Sequence, residues 1–271
     1  MNVESENIRR HYDRLSRFYR LFWGDHLHHG YWENGESVPR AQVQLIERLA
    51  ERAAIPRGAR VLDIGCGLGG SAIWLAEHLE CDVTGLTISP VQARMASAKA
   101  KSRGLSDRVR FVIGDADQWQ PSPERFDAIW IMESSEHFHN KPDFFARCAC
   151  ALRTSGVLAV CAWLRRDGPP REEEEQLVNA IGEAMLSASL DSLADYRRWM
   201  CDAGLEVSAQ DITSHVAPTW DHCSKIGIHP AVNFFLKFMG EDTRRFVRSF
   251  PLMKQAYEKG AMAFGLFAAR K

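Results

Sequence analysis

The side chains able to do chemistry cluster at a few places along the chain. Asp63 stands two residues before Gly65-x-Gly67-x-x-Gly70, Asp115 closes the apolar run 108–116, and Glu133 closes the run 125–134. Carboxylates so placed line the carboxyl edge of a parallel sheet, where such sheets bind ligands. The glycines let backbone approach a ligand closely, and the helix that opens at Ser71 offers free N–H donors. Beside such a turn a carboxylate is unwelcome to a pyrophosphate but useful to an ammonium group. His137 follows the fourth apolar run and has an intrinsic pKa of about 6.5, so it leads the candidates for a general base. Its neighbour Glu136 comes second, and His29, in the segment HLHHG, third.

The glycine spacing also fits the dinucleotide fingerprint, so an NAD enzyme has to be weighed. That fingerprint expects an acidic residue at the end of the second strand, to hold the ribose hydroxyls. Here Asp82 lies at that strand's beginning, and its end reads Gly85-Leu86-Thr87-Ile88-Ser89. The rim suits a cofactor with no phosphate and some positive charge. His11, His26, His28 and His29 raise the question of a metal site, but no paired cysteine or clustered carboxylate accompanies them at ligand spacing, and no metal is expected. Cys148-x-Cys150 falls in an amphipathic helix, where thiols pack as small hydrophobes.

The elements that must position these residues follow from periodicity. Residues 4–22 are amphipathic, with Ile8, Tyr12, Leu15, Phe18, Tyr19 and Phe22 at helical spacing, and Pro39–Ala54 is a second helix. Val61, Leu62 and Ile64 read as a buried strand, followed by the glycine turn and the helical pattern SAIWLAEHL. Further strands are expected at 81–89, 108–116, 125–134 and 157–163, with helices at 90–103 and 141–152 between them. This alternation predicts a parallel α/β sheet of doubly wound, Rossmann-like type with helices on both faces. After it come helices at 171–185 and 193–203, a strand at 206–216 and a last strand at 261–271. The aromatic-rich stretch between those two strands, holding Trp220, Phe234, Phe235, Phe238, Phe246 and Phe250, reads as a lid over a pocket.

At 271 residues the chain is long enough for one large domain with a full core. Its net charge of −1 leaves no electrostatic footprint for nucleic acid. No apolar stretch approaches the ~20 residues of a membrane span, and the start lacks the apolar region of an export signal. Seven scattered cysteines, an odd number, point to reduced thiols and a cytoplasmic setting.

Taken together, VLDIGCGLGG, GLTISPVQ, GDA and MESSEH resemble the class I S-adenosylmethionine-dependent methyltransferases. WGDHLHHGYW, MESSEHFHNK, LADYRRWMCDAGLE, HVAPTW and YEKGAMAFGLFAARK are similar to γ-tocopherol methyltransferases and their small-molecule relatives, over about residues 8–271. One departure is Ser135, where glycine is expected. The resemblance implies a single domain with a seven-stranded, mostly parallel sheet and a final antiparallel strand. An N-terminal helical cap would occupy 1–55, the cofactor-binding core 56–164, and the remaining strands 165–271 with the lid insertion at about 217–258. It implies S-adenosylmethionine as cofactor, with Asp63, Gly65 and Gly67 at its methionine portion, and Thr87, Ile88 and Gln92 at ribose and adenine. Asp115 and Ala116 would meet the adenine, Met132 and Glu133 would lie under the sulfonium, and Tyr12 and Tyr19 would close over it. The implied reaction is methyl transfer to a small, largely apolar acceptor at C, O or N. The rival within the fold is a cyclopropane-forming lipid modifier, where a matching Glu-His pair serves the active site.

Overall fold

Seven strands form one sheet in the order β3-β2-β1-β4-β5-β7-β6. The computed structural model describes residues 5–121, 125–169, 171–227, 232, 236 and 240–271, without the side chains of Tyr19, Phe22, Ile226 and Asp242. The strands are β1 Arg60–Ile64, β2 Asp82–Thr87, β3 Val109–Ile113, β4 Phe126–Met132, β5 Leu152–Arg165, β6 Glu206–Asp211 and β7 Met262–Arg270. β1 to β5 pair in parallel, while β7 lies antiparallel between β5 and β6. This is the expected mostly parallel sheet with a reversed last strand.

Strand period 2 sends alternate residues to opposite faces, and both faces are apolar here. Val61, Ala128, Trp130, Val157 and Ala159 join one buried cluster; Leu62, Ile64, Ile129, Ile131, Leu158 and Val160 join the other. Helices α2 (Val38–Ala53) and α3 (Gly70–Leu79) bury Leu45, Ile46, Leu49 and Ile73 in the first. Helices α5 (Lys141–Ala151) and α7 (Leu193–Asp202) bury Phe144, Phe145, Tyr196 and Met200 in the second. α4 (Pro90–Ser102) starts where Ser89 accepts the Gln92 N–H at 3.1 Å and Pro90 takes the first turn. Asp63 points to the same face as Val61, so its carboxyl lies on the side of the first cluster.

Helix α1 (Ser5–Phe22) lends Ile8 and Tyr12 to the cleft at the carboxyl edge, whereas α2 packs on β5 and β7. Helix α6 (Glu172–Met185) follows β5. The strand expected over 206–216 ends at Asp211. The Asp211 carboxylate accepts the Thr213 N–H at 2.8 Å, an Asx-type turn that starts the short α8, Thr213–Val216. Among the described residues the insertion before β7 holds the helices α9 (Thr219–Gly227), α10 (Glu241–Arg248) and α11 (Phe250–Glu258); Phe234, Phe235 and Phe238 lie outside the described residues. All seven cysteines are free. Among the described residues no helix is long and apolar enough to cross a membrane.

Ser135, the departure from the expected glycine, turns into the core rather than toward a cavity. Its hydroxyl lies 2.9 Å from that of Tyr196, and both residues are fully buried. Ser135→Ala leaves the Tyr196 hydroxyl unpaired and is expected to lower the unfolding free energy by about 1–2 kcal/mol, read in a urea titration. Unchanged stability would show that the pair contributes nothing.

Candidate functional site

At the end of β1 the chain turns through Gly65 (φ +77°) and Gly67 (φ +53°) into α3. A β-carbon on Gly65 would stand 2.2 Å from the Ser134 Cβ, so only glycine lets the ends of β1 and β4 approach this closely. One on Gly67 would meet no protein atom within 4 Å, because that residue faces an open cleft. Asp63, Thr87, Ile88, Gln92, Asp115, Ala116, Met132 and Glu133 all line this cleft, together with Tyr12 from α1. The Asp13 carboxylate of α1 holds it in place by accepting the Ser89 hydroxyl at 2.5 Å.

Several buried polar atoms on the cleft have no hydrogen-bond partner among the described residues: Asp63 Oδ2, Gln92 Nε2, His26 Nδ1 and His28 Nε2. Buried polar groups are seldom left unpaired, so this concentration marks a ligand surface. Burial pushes the Asp63 carboxyl up to about 7 against the pull of the Ala72 N–H. Thr87 fixes the Gln92 amide by donating to its Oε1 at 2.9 Å, which leaves the amide N–H₂ for a ligand acceptor.

A second cavity lies between the carboxyl edge and the lid helices. Trp163, Met185, Trp220, Phe246, Val247 and Phe250 supply its apolar walls. Tyr12, Leu27, His28, Glu133 and His137 line both cavities and form the seam between them.

Hydrogen bonds assign the tautomers of the three histidines around the seam. His137 Nδ1 donates to the Leu186 carbonyl at 2.8 Å, so Nε2 bears the lone pair, 3.0 Å from the Tyr12 hydroxyl that donates to it. Burial lowers the His137 pKa, partly offset by the Leu186 bond. His28 Nδ1 donates to the His29 carbonyl at 2.8 Å, and its Nε2 lone pair is the unpartnered one. Burial likewise lowers its pKa. His29 is different. The Trp220 indole N–H donates to its Nε2 at 2.8 Å, so Nδ1 carries the hydrogen and donates to Glu133 at 2.8 Å.

Glu133 adopts φ +49°, a strained conformation for a non-glycine residue. Its carboxylate takes the His29 N–H at 2.7 Å and the Trp163 indole N–H at 2.6 Å besides the His29 ring. Burial works to raise its pKa, but the imidazoles of His29 and His28 beside it and the Trp163 indole N–H outweigh burial and hold it below its ordinary value. A fixed negative charge therefore stands at the seam, facing both cavities. Glu136 behaves in the opposite way. Its Oε1 accepts the Trp163 backbone N–H at 2.6 Å, its Oε2 has no partner, and burial pushes the carboxyl up to about 8.

The fold thus gathers the cofactor-site candidates of the sequence around one cleft, except Tyr19, whose side chain lies outside the described residues. His137 reaches the seam and Glu136 the second cavity. His29, expected as a third base, has both ring nitrogens engaged, and it orients Glu133 instead. Sequence reasoning passed over His28 as a site residue. Its only signal was the H-x-H-H spacing, which cannot say which ring nitrogens the fold leaves open. Trp163, Met185 and Val247 were equally unflagged, because apolar cavity walls have the composition of core. Among the described residues no group of three or more His, Cys, Asp or Glu is placed to hold a metal ion.

Comparison with known proteins places this geometry. Residues 1–225 match a family model described as mycolic acid cyclopropane synthetase. A probable tocopherol O-methyltransferase, chloroplastic, of Oryza sativa is 34% identical, over 98% of this chain and 78% of its own. The 27-O-demethylrifamycin SV methyltransferase of Amycolatopsis mediterranei is 33% identical over 77% of each chain. A mycolic acid cyclopropane synthase solved with S-adenosylhomocysteine (SAH) and CTAB superposes with a TM-score of 0.88 at 21% identity, covering 99% of this chain and 98% of that one.

Proposed function

We propose that this chain, which belongs to the class I S-adenosylmethionine-dependent methyltransferases of the tocopherol-methyltransferase type, methylates a hydroxyl group of a small, largely apolar acceptor held under the lid. The observation that carries this reading is the seam. Two cavities, one suited to the cofactor and one apolar, meet at a neutral histidine whose lone pair is turned toward Tyr12.

The residues present fit the cofactor. S-adenosylmethionine supplies a sulfonium methyl that is already activated for displacement. Asp63 Oδ2 offers an acceptor to its ammonium group, and the Gln92 amide offers a donor to ribose or adenine. Asp115 and Ala116 close the adenine end. Glu133 places its carboxylate where positive charge favours binding, and α1 excludes water from above. The dinucleotide alternative falls because β2 ends at Thr87 without a carboxylate, while Asp82 stands exposed at its other end.

For the acceptor, the apolar walls bind the body of the molecule and the seam takes its hydroxyl. The Tyr12 hydroxyl accepts the proton released there as it passes its own to His137 Nε2. His137 keeps its second proton on the Leu186 carbonyl, so it can receive this one without turning its ring. Burial lowers the His137 pKa, which keeps the imidazole neutral and able to accept near neutral pH. Glu133 lines the same seam, facing both cavities. A screen of phenols, prenylated quinols and amines, scored by SAH release, tests the reading. Turnover of amines alone would refute the hydroxyl assignment. The family-model description favours cyclopropane formation as a second reading, and acyl-chain products carrying label from the cofactor would establish it.

The ionisation of Asp63 has a measurable consequence. With its carboxyl pushed up to about 7, much of it is protonated near neutrality in the ligand-free protein. An ammonium group favours the ionised form, so binding below that pKa must release a proton, and affinity must rise with pH. SAH affinity by calorimetry is expected to weaken by up to ~10-fold per pH unit below about 7 and to level off above it. Asp63→Asn is expected to bind weakly with a flat profile over the same range. A flat profile in the wild type would dissociate Asp63 from the ammonium group.

A further inference from the structure

We propose that the acceptor carries a second hydroxyl besides the one that is methylated, and that Glu136 Oε2 binds it. The inference rests on the methyltransferase reading and adds the substrate class to it.

Glu136 sits on the short 3₁₀ turn after β4, and it is 2% exposed. Its carboxyl cannot swing away, because Oε1 is fixed by the Trp163 backbone N–H at 2.6 Å. That leaves Oε2 buried with no partner among the described residues. Glu136 lines the acceptor cavity and not the cofactor cleft, so the cofactor is not what satisfies it. Tyr12, His28 and His137, at the reacting end, line both cavities instead. Among the described residues, the only other unpartnered buried side-chain atom on this cavity is His28 Nε2, which belongs to the seam. Apart from the reaction centre, Glu136 Oε2 is therefore the one buried side-chain atom on this cavity left without a partner among the described residues, and a buried polar atom of this kind is costly unless a ligand meets it.

The chemistry of the anchor selects the group. With Oε1 accepting from Trp163, the neutral carboxyl bears its proton on Oε2 and donates, whereas the ionised form accepts. Burial holds the carboxyl neutral near pH 7. A hydroxyl serves either state, since it both donates and accepts. A carboxylate or phosphate head would face the ionised Glu133 close by, and a plain hydrocarbon would leave Oε2 unpaired. The second hydroxyl therefore lies apart from the reacting one, on the same polar end of an apolar body.

The test measures binding, not turnover. The probes are 4-hexylphenol, with one hydroxyl, and 4-hexylcatechol, 4-hexylresorcinol and 2-hexylhydroquinone, with two in different relations. Each is titrated by calorimetry into the SAH-loaded protein. At least one diol is expected to bind about tenfold or more tightly than the phenol. Glu136→Leu is expected to bring that diol to within about twofold of the phenol while SAH affinity is kept. Should Glu136→Leu fail to fold, Glu136→Ala, which leaves room for water at the Trp163 N–H, carries the same expectation. Equal affinity for the phenol and all three diols, or a diol preference that survives these substitutions, overturns the proposal alone. Failure of the wild type to bind SAH overturns it together with the reading beneath it.

Discussion

Gly65→Ala is expected to weaken SAH binding by a factor between about 30 and several thousand. The added carbon would stand 2.2 Å from Ser134 Cβ and 2.4 Å from its Oγ. Ser134 cannot step aside cheaply, because its hydroxyl donates to the Ile64 carbonyl at 2.8 Å and the residue is buried. Left-handed backbone costs a non-glycine residue about 1–2 kcal/mol, and overpacking typically adds about 1–3 kcal/mol. Relief comes from parting the ends of β1 and β4, which carry Asp63 and Glu133 to either side of the cofactor cleft. The summed cost of about 2–5 kcal/mol sets the range of the affinity loss. Gly67→Ala is the comparison without a strand-end clash. Its β-carbon meets no protein atom within 4 Å, so the fold loses only the left-handed penalty of about 1–2 kcal/mol, while the methyl group intrudes on the cleft. Calorimetry with SAH and thermal unfolding of both variants separate the two effects. Wild-type affinity in Gly65→Ala would show that the strand ends can part without disturbing the site.

His137→Ala is expected to lower kcat for a hydroxyl acceptor by about 10²–10⁴, the usual contribution of a positioned acid or base. SAH affinity should stay within about threefold, because His137 is bonded to Leu186 and Tyr12 and cofactor binding does not need its lone pair. The pH profile supplies an independent sign. Neutral imidazole is the active form, and burial lowers its pKa, so the plateau of kcat/KM for the acceptor, measured at saturating cofactor, should extend to lower pH than the ordinary value of about 6.5 would allow. The acid limb assigned to His137 should vanish in the alanine variant. If turnover is unchanged, the proton leaves by another route, and His28, with its open Nε2 on the same seam, is the residue to vary next.

The cofactor half of the site was legible because each contact lies within a few residues of a strand end. Asp63, Gly65 and Gly67 lie at or just past the end of β1, Thr87 to Gln92 at or past that of β2, Asp115 and Ala116 just past β3, and Met132 and Glu133 at the end of β4. The geometry of a parallel sheet brings those ends to one edge whatever else the chain does, so strand periodicity and order alone assemble them. The acceptor half was not legible in that way. Its walls come from β5, α6, α9, α10 and α11, and an aromatic residue in any of these reads equally well as core. The strand expected through residue 216 also failed for a local reason, since Asp211 caps the next turn more readily than it continues a ladder.

The amino-acid sequence by itself determined the sheet, the glycine turn, the cofactor and the set of histidines available for proton transfer. The tertiary structure decided which of those histidines has a lone pair to offer. His29 loses its own to the Trp220 indole, 191 positions away, while the Leu186 carbonyl, 49 positions on, turns the His137 lone pair toward Tyr12. Imidazole has two nitrogens and one hydrogen to place, and the placement follows from whichever donors and acceptors the lid packs against it. No spacing along the chain encodes those partners.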